Sequence, residues 1–162
     1  MSLTALQYRD TEEWLHSCGI HTFIIRPDGK VDVLSDAYLF GTGQALLDTQ
    51  FSTISGTFDV SETSIASISN FPEIVHGNLL CHRTNIISLS GIDRIVKCVH
   101  GRIHVNHNAT HLLGLLLIKG VTELDTGEVK RDAILKKYLG SGDIISAQDE
   151  LLDAGYNWSA RL

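Results

Sequence analysis

The sequence has little cysteine, no long apolar run and no excess of basic charge. Cys18, Cys81 and Cys98 are the three cysteines among 162 residues, and none forms a CxxC pair. An odd count without such spacing argues against a disulfide framework and suits a reducing compartment. The most apolar run, LLGLLLIKGV from Leu112 to Val121, falls far short of the roughly 20 residues a membrane-spanning helix needs. Lys and Arg number 13 against 19 Asp and Glu, a net charge of −6. General nucleic-acid binding and membrane-surface binding call for a basic face, so neither is expected. The N-terminal MSLTALQYRD lacks a basic segment followed by an apolar one, so no signal peptide is expected. P-loop, GxSxG, HExxH and GxGxxG motifs are absent, and with them the usual sequence grounds for assigning catalytic residues or a cofactor. None is assigned. What remains is ordinary globular composition, with 43% hydrophobic and 20% charged residues.

Internal similarity is the strongest signal. GTFDVSETSIASI from Gly56, GNLLCHRTNIISL from Gly77 and GRIHVNHNATHLL from Gly101 align on their glycines, which lie 21 and 24 residues apart. Two residues on stand Phe58, Leu79 and Ile103, and four on stand Val60, Cys81 and Val105. Seven on stand Thr63, Thr84 and Asn108; nine on stand Ile65, Ile86 and, as a polar departure, Thr110; twelve on stand Ile68, Leu89 and Leu113. A weaker copy starts at Ser35, where Ala37, Leu39, Thr42 and Leu47 fit and Gln44 does not.

Alternate apolar positions make a short strand with one buried face. A short polar side chain where the chain leaves the strand can satisfy buried backbone groups. One such unit cannot bury its own apolar row, whereas stacked units can. The expected fold is therefore an α/β repeat, a short leucine-rich-repeat-like solenoid with parallel strands. The strands are predicted near Ala37–Leu39, Phe58–Val60, Leu79–Cys81 and Ile103–Val105. The alternative is a set of unrelated strands in an ordinary α+β fold.

The flanks read as caps. Leu6, Trp14 and Leu15 have helical spacing within residues 4–18, before Gly19. A hairpin follows, with Phe23 and Ile25 alternating, a turn at Pro27-Asp28-Gly29, and Val31 and Val33 alternating again. Near the other end, EVKRDAILKKYL and DIISAQDELLDAG read as helices, the second capped by Asp143 and presenting Ile144, Ile145, Leu151 and Leu152 as its apolar face. The expected organisation is a single domain, 1–162. Residues 1–34 form an N-terminal helix and hairpin cap, 35–126 the repeat, and 127–162 a helical C-terminal cap.

DGKVDV (Asp28–Val33), GTFDVSETSIASI, FPEIVHG (Phe71–Gly77) and GDIISAQDELLDAG (Gly142–Gly155) together resemble a family of small leucine-rich-repeat-like proteins of tailed bacteriophages. The likeness covers about residues 20 to 162, and the final helix is its most specific part. It departs in less leucine-rich cores, in Gln44, and in an insertion around Asp93–Lys97. The resemblance implies a phage product acting in the host bacterial cytoplasm. It brings no catalytic residues.

Four of eight histidines fall within HGRIHVNHNATH, residues 100–111. His104 lies between inward positions and should face outward, at the same offset as Asp59 and Leu80. The next offset carries Ser61, His82 and Asn106, and the one after it Glu62, Arg83 and His107. His76 and His100 each precede a repeat glycine and should stack on each other. Repeat registers thus account for the histidines as scaffold. A zinc site would need three or four ligands converging, for which His82, His104 and His107 are the candidates. Cys81 sits at an inward offset and reads as a core thiol. Arg83, Arg94, Lys97 and Arg102 could form a local basic patch.

An open face of short strands with Leu80, His82, Arg83, Arg102, His104 and His107 suits protein recognition. The expected function is a non-enzymatic binding module, a monomer or weak homodimer. It would inhibit or redirect a bacterial host protein or defence system. The alternatives are a metal-dependent enzyme using the histidines and a structural or assembly component of a virion. A competing surface is the C-terminal end, where Tyr156 and Trp158 are expected to pack inward.

Overall fold

The computed structural model describes residues 5–39 and 49–162. The positions of Thr42, Gln44 and Leu47 in the weak first copy lie outside the described residues. The elements, in chain order, begin with helix α1 (Ala5–Ser17) and strands β1 (Phe23–Ile25), β2 (Val31–Val33), β3 (Ala37–Tyr38), β4 (Phe51–Ile54) and β5 (Phe58–Asp59). Then come β6 (Ile74–Val75), β7 (Leu79–Leu80), the short helix α2 (Ile92–Ile95), β8 (Cys98–Val99) and β9 (Arg102–His104). A 3-10 helix (Leu112–Leu117), β10 (Glu123–Asp125), α3 (Val129–Tyr138) and α4 (Ile144–Asp153) complete the chain.

The molecule is mixed α/β, built on two sheets rich in parallel pairs. One has the order β1-β2-β4-β6-β8, the other β10-β9-β7-β5-β3. From β2 to β9 the chain alternates between them. The hairpin β1–β2 is antiparallel, with Phe23 opposite Val33. Every other pair is parallel. Strands are present at all four predicted places, and Ala37, Phe58, Leu79 and Ile103 stand in register. β10 extends that row with Leu124. The strands of the other sheet after β2 were not anticipated. Two of them are two residues long, too short for alternation to register.

The core lies between the sheets. Ala37, Phe58, Leu79, Ile103 and Leu124 fill it from one side, and Val33, Ile54, Val75 and Val99 from the other. Phe51, Phe58 and Phe71 meet edge to face at 5.5 and 5.6 Å between ring centres. Trp14 of α1 adds a tilted contact to Phe51 at 6.3 Å.

The repeat glycines occupy one corner. A Cβ on Gly77 would come within 2.7 Å of the Gly56 carbonyl carbon, and one on Gly101 within 2.8 Å of the Gly77 carbonyl oxygen. Glycine is required here by backbone contact. The longer interval between Gly77 and Gly101 holds α2, so the predicted insertion around Asp93–Lys97 forms that helical turn.

Two details differ from expectation. Asn108 is exposed, while Asn106 is buried. Thr63 and Thr84 do donate to the carbonyls three residues back, Val60 at 2.7 Å and Cys81 at 2.9 Å. In the next layer Asn106 reaches sideways instead. Its Nδ2 donates to the carbonyls of Thr84 at 2.9 Å and Ile86 at 2.8 Å, and its Oδ1 accepts from the Thr84 N–H at 3.2 Å. On α4, Leu151 and Ala147 are buried, but Ile145 and Leu152 are exposed. Asp143 caps that helix by accepting from the Ser146 N–H at 3.1 Å. Leu151 packs because α4 lies against α3 and the 3-10 helix, and those neighbours leave Ile145 and Leu152 outside. Among the described residues no helix is long and apolar enough to cross a membrane.

Candidate functional site

The outward row of the β10-β9-β7-β5-β3 sheet reads Tyr38, Asp59, Leu80, His104 and Asp125, set side by side by the strand register. Alternation fixes this: the residues on either side of the row point into the core. Leu80 thus lies between an aspartate and a histidine. Arg102, two residues before His104, stands beside Glu123 of the neighbouring strand. It donates through Nε and Nη2 at 3.0 Å each to the two carboxylate oxygens.

Past the strand ends the surface opens into a groove of about 450 Å³ lined by His82, Arg83, Thr84, His104, Val105, Asn106, His107, Asn108 and Gly127. Four of the six sequence candidates meet there: His82, Arg83, His104 and His107. Leu80 and Arg102 lie on the adjoining strand face. The imidazoles of His82 and His104 stack at 4.0 Å with 14° between planes. His82 Nδ1 is 2.9 Å from the Ser61 hydroxyl, and His104 Nε2 is 3.8 Å from the Asp125 carboxylate. Burial holds the His104 ring below its ordinary pKa, helped by His82 and Arg102 and opposed by Asp125. Ser61 and Asn106, from the same offset as His82, are buried.

Arg83 and Glu62 both have positive φ, 53° and 58°, a left-handed conformation uncommon for side chains other than glycine. It turns the two exposed side chains together, and Arg83 donates to Glu62 at 2.7 Å. Arg83 and Arg102 of the proposed basic patch therefore carry acidic partners at Glu62 and Glu123, against a purely cationic reading of the two. Among the described residues no group of three or more His, Cys, Asp or Glu is placed to hold a metal ion. The set His82, His104 and His107 is not drawn together as a coordination site. The Cys81 thiol is buried, and burial pushes its pKa up to about 12, far from the thiolate a nucleophile needs.

Sequence reasoning missed the residue beneath the groove. Arg131 of α3 is buried. Its Nη2 donates to the His107 carbonyl at 2.7 Å and the Thr126 carbonyl at 2.9 Å, its Nε to the Thr126 hydroxyl at 2.8 Å, and its Nη1 to the Ser159 hydroxyl at 3.3 Å. Burial lowers its pKa, opposed by Asp132 and Glu128. The signal was available: Arg131 shares a helix face with buried Ile134 and Leu135, at i+3 and i+4. Glu128 caps the same helix and accepts from the Tyr156 hydroxyl. Tyr156 is half-buried as expected, but Trp158 is exposed with the Arg161 guanidinium 4.0 Å above its ring. The inward packing expected of Trp158 belongs instead to its backbone and to Ser159, whose carbonyls accept from His111 and Leu112 at 2.9 and 3.0 Å.

Comparison with protein-family models, with curated proteins and with solved structures gave no match for the chain.

Proposed function

We propose that this chain is a short leucine-rich-repeat-like solenoid serving as a non-enzymatic protein-binding module, with its binding face on the β10-β9-β7-β5-β3 sheet and the adjoining groove. The observation that carries the reading is the outward row. Tyr38, Asp59, Leu80, His104 and Asp125 alternate in chemistry across adjacent strands, on a surface whose inward neighbours already fill the core. These side chains lie outside the core, and Asp59 and Asp125 also accept from the Ser61 and Gly127 N–H groups at 2.9 and 3.0 Å. Arg102 and Arg83 flank the row with acidic neighbours at Glu123 and Glu62, so the face offers paired charges of both signs. That favours a partner surface of mixed polarity over a nucleic acid. The resemblance to phage proteins makes a bacterial protein the proposed partner, met in the host cytoplasm, and inhibition or redirection of that protein the proposed outcome.

The test compares variants in capture from bacterial lysate, with bound proteins identified by mass. Leu80→Lys places a cation beside Asp59 and leaves the buried row intact, so capture should fall at least about tenfold, the scale of a contact hot spot. Melting should be unchanged. Trp158→Ala should capture as the parent does. Capture that survives Leu80→Lys but fails after Trp158→Ala moves the face to the C-terminal end, where Trp158 and Ile145 are exposed.

A further inference from the structure

His76 and His100 lie on the other sheet, away from the surface just described. Each directly follows a strand: β6 before His76, β8 before His100, adjacent and parallel with Val75 opposite Val99. The ladder fixes both backbones, since the His76 N–H donates to the Ile54 carbonyl at 2.9 Å and the His100 N–H to that of Val75 at 3.0 Å. Both side chains are exposed. Their Nδ1 atoms stand 3.3 Å apart, with ring centres at 5.1 Å and planes crossing at 71°. The His100 ring rests on Gly120, where a Cβ would come within 2.6 Å of its Cδ2. The sheet thus fixes both backbones, and Gly120 lies against the His100 ring.

A single N–H···N bond would account for a close pair of imidazoles. The spacing also has a second meaning. Two zinc–nitrogen bonds of about 2.0–2.1 Å at a tetrahedral angle separate their nitrogens by about 3.3–3.4 Å. A ligand imidazole directs its lone pair in the ring plane, so one ion can serve both rings only where the planes intersect. Planes at 71° do intersect close by. The other close histidine pairs among the described residues do not offer this. His16 and His21 have Nδ1 atoms 3.0 Å apart, but their rings stack at 25°. His82 and His104 stack at 14°.

We propose that Nδ1 of His76 and Nδ1 of His100 form a two-histidine clip for a zinc-class divalent cation, with water completing the tetrahedron. Two protein ligands are fewer than the three or four of a catalytic or structural zinc site, so the ion is exchangeable, a bound species set by the surrounding concentration. The clip is independent of the proposed partner face.

The experiment titrates chelator-treated full-length protein with Zn²⁺ by calorimetry and follows imidazole nitrogens by NMR. One equivalent should bind, and the Nδ1 resonances of His76 and His100 should shift. His76→Ala and His100→Ala should each weaken binding at least about tenfold, the scale on which even supporting groups around a ligand act. His16→Ala and Cys98→Ser should bind as the parent does, and Mg²⁺, which prefers oxygen ligands, should give no heat. The rings are exposed, so thermal melts of the two histidine variants should match the parent; the NMR shifts test the assignment in the unaltered chain. No zinc binding, shifts confined to other histidines, or equal affinity in His76→Ala and His100→Ala would overturn the proposal. Loss of binding only in His16→Ala or Cys98→Ser would overturn it as well.

Discussion

Around β5 and β7 the interior is aromatic and aliphatic: Phe51, Phe58 and Phe71 touch edge to face beside Leu79 and Val75, all fully or almost fully buried. Beyond β9 the interior holds a guanidinium, bound to two carbonyls and two hydroxyls. The two regions differ because of what lies next to them. A central strand has a neighbour on both sides, so its backbone is satisfied by the ladder and its side chains need only be apolar. β10 is an edge strand, covered by α3. Polar backbone groups beneath that cover need partners that no further strand supplies. Arg131 answers that need, while Leu112, Leu113, Leu115 and Leu116 of the 3-10 helix supply the apolar part.

The comparison breaks most directly at Phe58. Phe58→Ala should destabilise by about 3–5 kcal/mol, the cost of an uncollapsed aromatic cavity. Urea unfolding measures it; a loss under about 1 kcal/mol would mean that the middle is not the principal core. Arg131→Leu keeps the volume but strands the His107 and Thr126 carbonyls. A loss of about 2–3 kcal/mol is expected, as for hydrogen bonds to a charged donor. Amide exchange should quicken around residues 107–112 and stay slow in β5 and β7. A neutral or stabilising outcome, known when buried charges give way to apolar groups, would show that the end does not depend on the cation.

Asn106→Ala should cost about 1–2 kcal/mol, because it leaves the Thr84 and Ile86 carbonyls unpaired, whereas Asn108→Ala should change stability by less than about 0.5 kcal/mol. Equal effects would erase the distinction drawn between these two asparagines. The smallest effect concerns pH. His104 has a folded-state pKa below its unfolded value, so the unfolded chain binds the extra proton more readily. The contribution is complete above about pH 6.5, the ordinary histidine value, and is lost as the pH falls through and below it. Stability should decline from pH 8 to pH 5.5, and His104→Gln should flatten part of that slope. An unaltered slope would assign the dependence to other groups.

Much of one sheet could be read from the sequence, because alternating apolar residues and a glycine marker recur there at fixed offsets. Phe58, Leu79 and Ile103 all fall where those offsets put them. In the other sheet the hairpin was legible, but Ile74–Val75 and Cys98–Val99 were hidden because they offer only two residues each. Asn106 was misplaced because offsets record side-chain type and not direction: Thr84 bonds back within its own layer and Asn106 bonds across to the preceding one. The groove was legible in part, since His82, Arg83 and His107 follow adjacent offsets. The pairing of Arg83 with Glu62 could be read from their shared offset, whereas Glu123, which pairs with Arg102, lies beyond the aligned copies. Trp158 illustrates the reverse error. Its hydrophobicity suggested burial, whereas Arg161 shields its face from outside.

The touching glycines at positions 56, 77 and 101 give the molecule a spine with no slack. Backbone meets backbone there, so the layers cannot be spread by even one methyl group, and any change in the length of a layer has to emerge elsewhere. The layer between Gly77 and Gly101 shows where: its extra residues leave as the helical turn Ile92–Ile95 while the glycine edge stays in contact. New chain inserted near α2 would therefore be carried outward like a tab on the fore-edge of a book, with the binding still closed.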